Sequence, residues 1–321
     1  MYVSKEAAFL QENAYRMKVW EFFTNKGKKV KVRLWAILLG LALVGLPAAF
    51  ASHGDVERPS KKIVFLWSKG HHPNKASCEL FKYCLENSSN VKGIKCRVYE
   101  NWPKDQSVLA DAAAIVIYSE GINEEMKKQG KSHPVFSSAK RLDYLDKLMK
   151  KGAGIVCIHY TLYATRQLEA PKLLDWVGAY YDFEGHGSTH WVTQKPQTLT
   201  TVTSYHPVSR GWAEFTLKEN ELYHNLLFAE KNCAVPILRT TFEDRKTKKT
   251  NEHIVAWALE RKDGGRGFGF GGGHFYKMWL NKNCRKMILN AILWTAKIDV
   301  PKEGVQSSVP QHLKTEKTGQ H

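Results

Sequence analysis

Between residues 61 and 158, short apolar runs alternate with amphipathic segments, and that alternation constrains the fold more than any other feature. KKIVFLW (61–67), IKCRVYE (94–100), AAAIVIYSE (112–120) and IVCI (155–158) have the length and β-branched content of buried strands. SCELFKYCLEN (77–87) places Leu80, Phe81 and Cys84 on one helical face. SSAKRLDYLDKLMKKG (137–152) carries a stripe of Leu142, Leu145, Leu148 and Met149, and Gly152 supplies the C-terminal cap. Strands that are apolar throughout must be covered on both faces, and helices that return the chain between them do the covering. The pattern predicts an α/β fold with a mainly parallel sheet.

The second half has more β character. TLTTVTS (198–204), VPILRTTF (235–242), HIVAWALE (253–260) and GRGFGFGGG (265–273) read as strands, and RKDGG between the last two is a hairpin signal. NKNCRKMILNAILWTAK (281–297) reads as a closing amphipathic helix. One folded domain is expected over 60–298. The polar stretch 301–321 lacks the apolar content to order itself and is expected to be disordered.

Residues 1–51 read as an N-terminal extension with an export signal. NKGKKVKVR (25–33) is basic, LWAILLGLALVGLPAAF (34–50) is an apolar run of 17 residues, and Ala49-Phe50-Ala51 is a small-x-small cleavage site. Cleavage after Ala51 would deliver the domain to the periplasm or cell envelope. An uncleaved segment, near the minimum length for a span, would anchor it in the membrane.

The formal charge is +17, and residues 52–321 hold 40 Lys/Arg against 28 Asp/Glu, or +12. The lysines are scattered and no nucleic-acid-binding motif accompanies them, so the charge reads as solvated surface, or as attraction to an anionic cell envelope, rather than a nucleic-acid footprint. All six cysteines lie beyond residue 51, with no CxxC pair, which argues against a cysteine zinc site.

Ligands of open α/β sheets bind outside the carboxyl ends of the strands. His71 and His72 follow the first strand, Glu120 the third, His159 the fourth, and His274 ends the glycine-rich strand. These positions converge on one rim if the strands are parallel, and the convergence suits a metal or acid–base site. Adjacent histidines face different ways, so only one of His71 and His72 can serve as a ligand. The plainer alternative for each histidine is a hydrogen-bonded turn residue. The glycines at 269–273 also serve close packing or a bend. No helix N-terminus follows at phosphate-loop spacing, so they are no nucleotide loop.

GAGIVCIH, the GHH loop, DWVGAYYDFEGH, YHPVSRGW, ENELYHN and HIVAWALERKDGGRGFGFGGGH together resemble the ThuA-like family, named for trehalose utilisation, over about residues 62–297. That family belongs to the class I glutamine amidotransferase-like superfamily. The resemblance implies a flavodoxin-like three-layer sandwich with extra β elements in the C-terminal half. It implies carbohydrate metabolism, chiefly of disaccharides and their keto derivatives. Matching the family's polar cleft are His71 or His72, His159, His186, Glu221, Tyr223, Arg266 and His274. This chain departs from it with Asn220 before Glu221 and Tyr160-Thr161 after His159. A glutaminase carries cysteine at the strand-to-turn elbow. Here His159 stands there, with Cys157 two residues deeper, and no glutaminase activity is expected.

The expected roles follow. His159, Glu221 and Tyr223 are catalytic candidates, acting as base and proton donors. His72, His159 and His274 are candidate ligands for a divalent zinc or manganese ion. His71, His186, Arg266 and Tyr276 are candidate substrate-binding residues, with Trp191, Trp212 and Trp279 as further aromatics for stacking on sugar. A non-catalytic carbohydrate-binding module and an envelope-associated structural protein are the alternatives. The expected partner is a small carbohydrate, with no nucleic acid, membrane contact only through residues 34–50, and self-association left open.

Overall fold

The computed structural model describes residues 60–122, 128–182, 192–193, 196–230, 234–243 and 248–314. The expected export signal within residues 1–51, His186 and Trp191 lie outside the described residues. Among those described, no helix is long and apolar enough to cross a membrane.

A nine-stranded sheet forms the spine. Its strands are β1 (Lys61–Trp67), β2 (Ile94–Glu100), β3 (Ala114–Tyr118), β4 (Gly154–Ile158), β5 (Gln197–Thr201), β6 (Phe215–Leu217), β7 (Val235–Glu243), β8 (Thr250–Glu260) and β9 (Arg266–Phe270). The spatial order is β2-β1-β3-β4-β9-β8-β7-β5-β6. The first five in that order are mutually parallel, and β8, β7, β5 and β6 continue the sheet antiparallel. The chain thus reaches the middle of its sheet last, when β9 inserts beside β4.

Side-chain alternation along the strands builds two cores. Ile63, Phe65, Val116, Tyr118, Val156 and Ile158 pack toward α1 (Asn74–Glu86) and α4 (Lys282–Thr295). Val64, Leu66, Ile115, Ile117, Ile155 and Cys157 pack on the other face, toward α2 (Ala139–Lys150) and α3 (Ala170–Trp176). The result is the expected three-layer sandwich. The stripe on α2 is buried as its spacing predicts, and Ser138 caps the helix by accepting the Arg141 N–H. Asn281 caps α4 by accepting from Asn283 and Cys284.

The glycine-rich strand is shaped by what lies against it. Phe268 and Phe270 fill the α1/α4 side. On the opposite face a Cβ at Gly267 would fall 1.9 Å from the Trp176 carbonyl oxygen, and one at Gly269 would fall 2.2 Å from the Trp257 ring. Glycine is therefore required for close approach.

Two expectations change. The short helix α3 and a small three-stranded sheet of Tyr163–Ala164, Ala179–Asp182 and Leu227–Phe228 add to the expected elements. The tail is ordered as far as residue 314 rather than loose from 301. Val305 is fully buried, its N–H donates to Asn290 Oδ1 at 2.9 Å, and the Gln306 N–H donates to Asn90 Oδ1 at 2.9 Å. Polar composition misleads here because two asparagine amides on the body supply the partners that a polar strap needs. The five described cysteines are free and buried.

Candidate functional site

Four neighbouring parallel strands, β1, β3, β4 and β9, end on the same rim, and each delivers one polar side chain there. β1 runs into a loop that carries His72. A Cβ at Gly70 in that loop would collide with the Glu120 carboxyl group at 2.1 Å, so glycine leaves space for the acid that follows β3. Glu120 is buried. It accepts the His72 Nδ1–H at 2.8 Å, the His72 backbone N–H at 3.2 Å and Asn74 Nδ2 at 3.0 Å. A carboxylate only accepts, so Nδ1 of His72 is the donor in this contact and Nε2 is the ring nitrogen left for a ligand. His71, beside it, is exposed.

β4 ends at His159, which takes a left-handed φ of 53° and has no exposed surface. That conformation is costly for a residue with a Cβ and marks a sharp elbow. Thr161 pins the turn: its hydroxyl accepts the Ser119 N–H at 2.9 Å and lies 3.1 Å from the Ile117 carbonyl. His159 Nδ1 lies 3.1 Å from the Gly271 carbonyl oxygen, which can only accept, so this ring too holds its proton on Nδ1. The same carbonyl accepts the Tyr223 N–H at 3.0 Å, and Tyr223 stacks on His159 at 4.3 Å and 16°.

β9 ends in Gly271-Gly272-Gly273, then His274. Gly273 has φ 130°, and a Cβ there would crowd the Tyr118 hydroxyl and His159 Cβ, at 2.8 and 3.1 Å. The run brings His274 back over the elbow. The rings of His72 and His159 lie 4.7 Å apart, and those of His72 and His274 lie 4.8 Å apart. One ligand atom from each of the three histidines falls within 4.8 Å of the other two. Glu221, on a short strand pairing with Val192–Thr193, sits between two of them: 3.7 Å from His159 Nε2 and 3.5 Å from His274 Nδ1. Three imidazoles beside a carboxylate form a donor set that suits zinc or manganese. Glu120 behind His72 and Gly271 behind His159 are the outer partners that fix ring orientation in such sites.

The structure thus gathers His72, His159, His274, Glu221 and Tyr223. Among the described residues, it leaves Arg266, Tyr276, Trp212 and Trp279 away from this cluster. Arg266 stands at the amino end of β9, away from the rim. It pairs with Glu260, donates to the Trp294 carbonyl and covers the Trp294 ring at 5.0 Å. Tyr276 is buried, and its hydroxyl donates to the Leu313 carbonyl. Trp212 and Trp279 are likewise core residues. Cys157 is fully buried and burial pushes its thiol pKa up, so it is an inert core thiol. Glu120 has no assigned role among the expected site residues, and its signal in the sequence is its place as the first carboxylate after β3.

Burial raises the pKa of the Tyr223 phenol, and the Glu221 charge adds to the effect. Tyr223 therefore stays protonated across the neutral range and can donate a hydrogen bond.

Against known proteins, the family profile for ThuA, described as trehalose utilisation, matches residues 62–295. No curated protein matches. A ThuA-like protein of Bacteroides uniformis superposes with TM-score 0.54 at 15% identity, covering 81% of this chain and 98% of its own. One from Parabacteroides merdae superposes with TM-score 0.50 at 16% identity, covering 78% and 94%. A glutamine amidotransferase from Thermotoga maritima follows at 10% identity and TM-score 0.40, covering 75% and 97%. At these identities the likeness concerns the fold, and the profile match supplies the family. With the sandwich and the rim in place, the chain belongs to the ThuA family, the domain linked to trehalose utilisation.

Proposed function

We propose that the protein is a carbohydrate-active enzyme that works on a disaccharide or keto-sugar with a divalent metal held by His72, His159 and His274. The observation that carries this reading is the convergence of the three histidines at the strand ends, two of them with Nδ1 committed to an acceptor. A metal bound there would supply Lewis acidity to a sugar oxygen. Glu221 is the group placed to take or return a proton, since its two oxygens face two of the histidines. Tyr223, kept protonated by burial, donates to a developing oxyanion or a leaving oxygen. A glutaminase reading finds no support, because the elbow bears histidine and the nearby thiol is buried. Export through residues 25–51 is part of the proposal.

One observation favours a second reading without metal. His159 Nε2 and Glu221 lie 3.7 Å apart, close enough for an imidazole–carboxylate pair to act as base and acid once substrate tightens the contact.

The test is elemental analysis of the purified protein and of His159→Ala and His274→Ala. Stoichiometric metal that falls in both variants supports the first reading. No metal, even after incubation with zinc and manganese, removes it and leaves the imidazole–carboxylate pair.

A further inference from the structure

The rim holds more aromatic hydroxyls than proton transfer needs. Tyr160 sets its edge against His72 at 5.3 Å and against Tyr163 at 4.7 Å. Tyr163 stacks on Tyr181 at 3.9 Å and 17°, and the two are register partners across a short parallel bridge. Tyr181 meets Tyr223 at 5.0 Å, and Tyr223 lies on His159. The rings thus form a continuous path that leaves the histidines at His72 and returns to them at His159. Tyr181 and Tyr223 are buried, while Tyr160 and Tyr163 are half-buried.

The platform is held firmly. A Cβ at Gly121 would lie 2.3 Å from the Tyr160 carbonyl oxygen and 2.5 Å from Tyr163 Cβ, so the loop after β3 presses against its back. Arg166 forks onto the buried carboxylate of Asp182, next to Tyr181, with contacts of 2.6 and 3.1 Å.

Packing alone would be served by phenylalanine. The phenols of Tyr163 and Tyr181 pair with each other, and burial raises the pKa of both, so they remain neutral beside Glu221. Neutral phenols beside a stacked aromatic face suit a ligand that is flat on one side, polar at its edge and uncharged. A pyranose has that shape: its C–H face lies on the rings and its hydroxyls exchange hydrogen bonds with the phenols. An anionic ligand would meet Glu221, and an apolar one would forfeit the phenols.

We propose that Tyr160, Tyr163 and Tyr181 form a second ring subsite, which takes the distal, uncharged sugar of a disaccharide while the reacting sugar lies over the histidines. This rests on the carbohydrate reading of the histidine site.

The test is calorimetric binding to the full-length, metal-incubated protein of glucose and of trehalose, maltose, sucrose and cellobiose. Tyr160→Ala and Tyr163→Ala are compared with the parent, with metal content and thermal midpoint measured alongside. At least one disaccharide should bind the parent about tenfold tighter than glucose or better, and Tyr160→Ala should bring that ratio to about one with metal retained. Tyr160 is half-buried, so its variant stays informative even where Tyr163→Ala fails to fold. A ratio of about one in the parent, or a ratio unmoved by Tyr160→Ala, overturns the subsite and leaves the carbohydrate reading in place. Binding of no sugar at all overturns both. Disaccharide preference without bound metal keeps the subsite and removes only the metal assignment.

Discussion

The sheet joins two unlike halves. In β2-β1-β3-β4-β9 every strand points the same way, so every carboxyl end meets one rim. In β8-β7-β5-β6 the direction alternates, and strand ends are shared between the two edges. The first half therefore brings His72, Glu120, His159 and His274 to one rim by strand direction, and local turns at Gly70, His159 and Gly273 then aim them. Among the described residues, the antiparallel side contributes to the site through the connection after β6, which carries Glu221 and Tyr223 back to the rim. Chemistry gathers where strand directions agree.

The sharpest way to break this contrast is through stability. Leu145→Ala, on the buried stripe of α2, should cost about 2–5 kcal/mol in denaturant unfolding. Thr198→Ala, whose exposed hydroxyl meets Thr216 at the antiparallel edge, should stay within about 0.5 kcal/mol. Comparable losses at the two positions would mean that the halves are equally tight.

Acid should expose a buried histidine in each half. Burial lowers the pKa of His133, before α2, to about 3, and that of His206, after β5, to about 4. Both fold as neutral rings. Their contribution is complete above the ordinary value of about 6.5 and is lost as pH falls through 6.5 toward 4 and below. Stability measured from pH 7 to pH 4 should decline, and His133→Asn should flatten the decline more than His206→Asn. An unchanged acid limb in both variants would assign acid unfolding to other groups.

A smaller effect tests whether the rim depends on its outer partners. Glu120→Gln should weaken zinc binding about 10–100-fold in a chelator competition while leaving the thermal midpoint nearly unchanged. Undiminished affinity would show that His72 needs no carboxylate behind it. The smallest effect belongs to Arg266→Ala. It should leave metal binding unaltered and cost about 0.5–1 kcal/mol through the lost contact with Trp294. Loss of metal in this variant would contradict its place at the far end of β9.

The parallel half is also the more legible in sequence. β1 and β2 occupy the runs KKIVFLW and IKCRVYE, and a histidine that follows an apolar run falls on the rim once the strands are taken as parallel. What alternation and motif leave open is which end of a strand a motif residue occupies. Arg266 and His274 share one motif block, yet Arg266 opens a five-residue strand and His274 lies beyond its far end, at the opposite edge of the sheet. Neighbourhood in sequence misleads for Tyr276 and Trp279 as well, because the turn after His274 feeds α4 and carries them into the core. The choice of His72 over His71 depends on the acid that reaches across from β3, a contact 48 residues apart. Tyr160 does leave a trace, as one of the departures from the family pattern after His159, but the partner ring of Tyr181 joins the path only through a bridge formed in the folded chain.

The insertion of β9 between β4 and β8 also sets a timetable for synthesis. The chain emerges with His72, Glu120 and His159 well ahead of His274, and until residues 266–274 arrive the parallel sheet has an open border at β4. Under the proposed metal reading, a nascent chain holds at most two of the three histidines, too few for a firm grip on an ion, and the third comes only with the strand that closes the sheet. On the proposed metal reading, any capacity to capture an ion therefore waits for the strand that fills the middle of the sheet, late in translation.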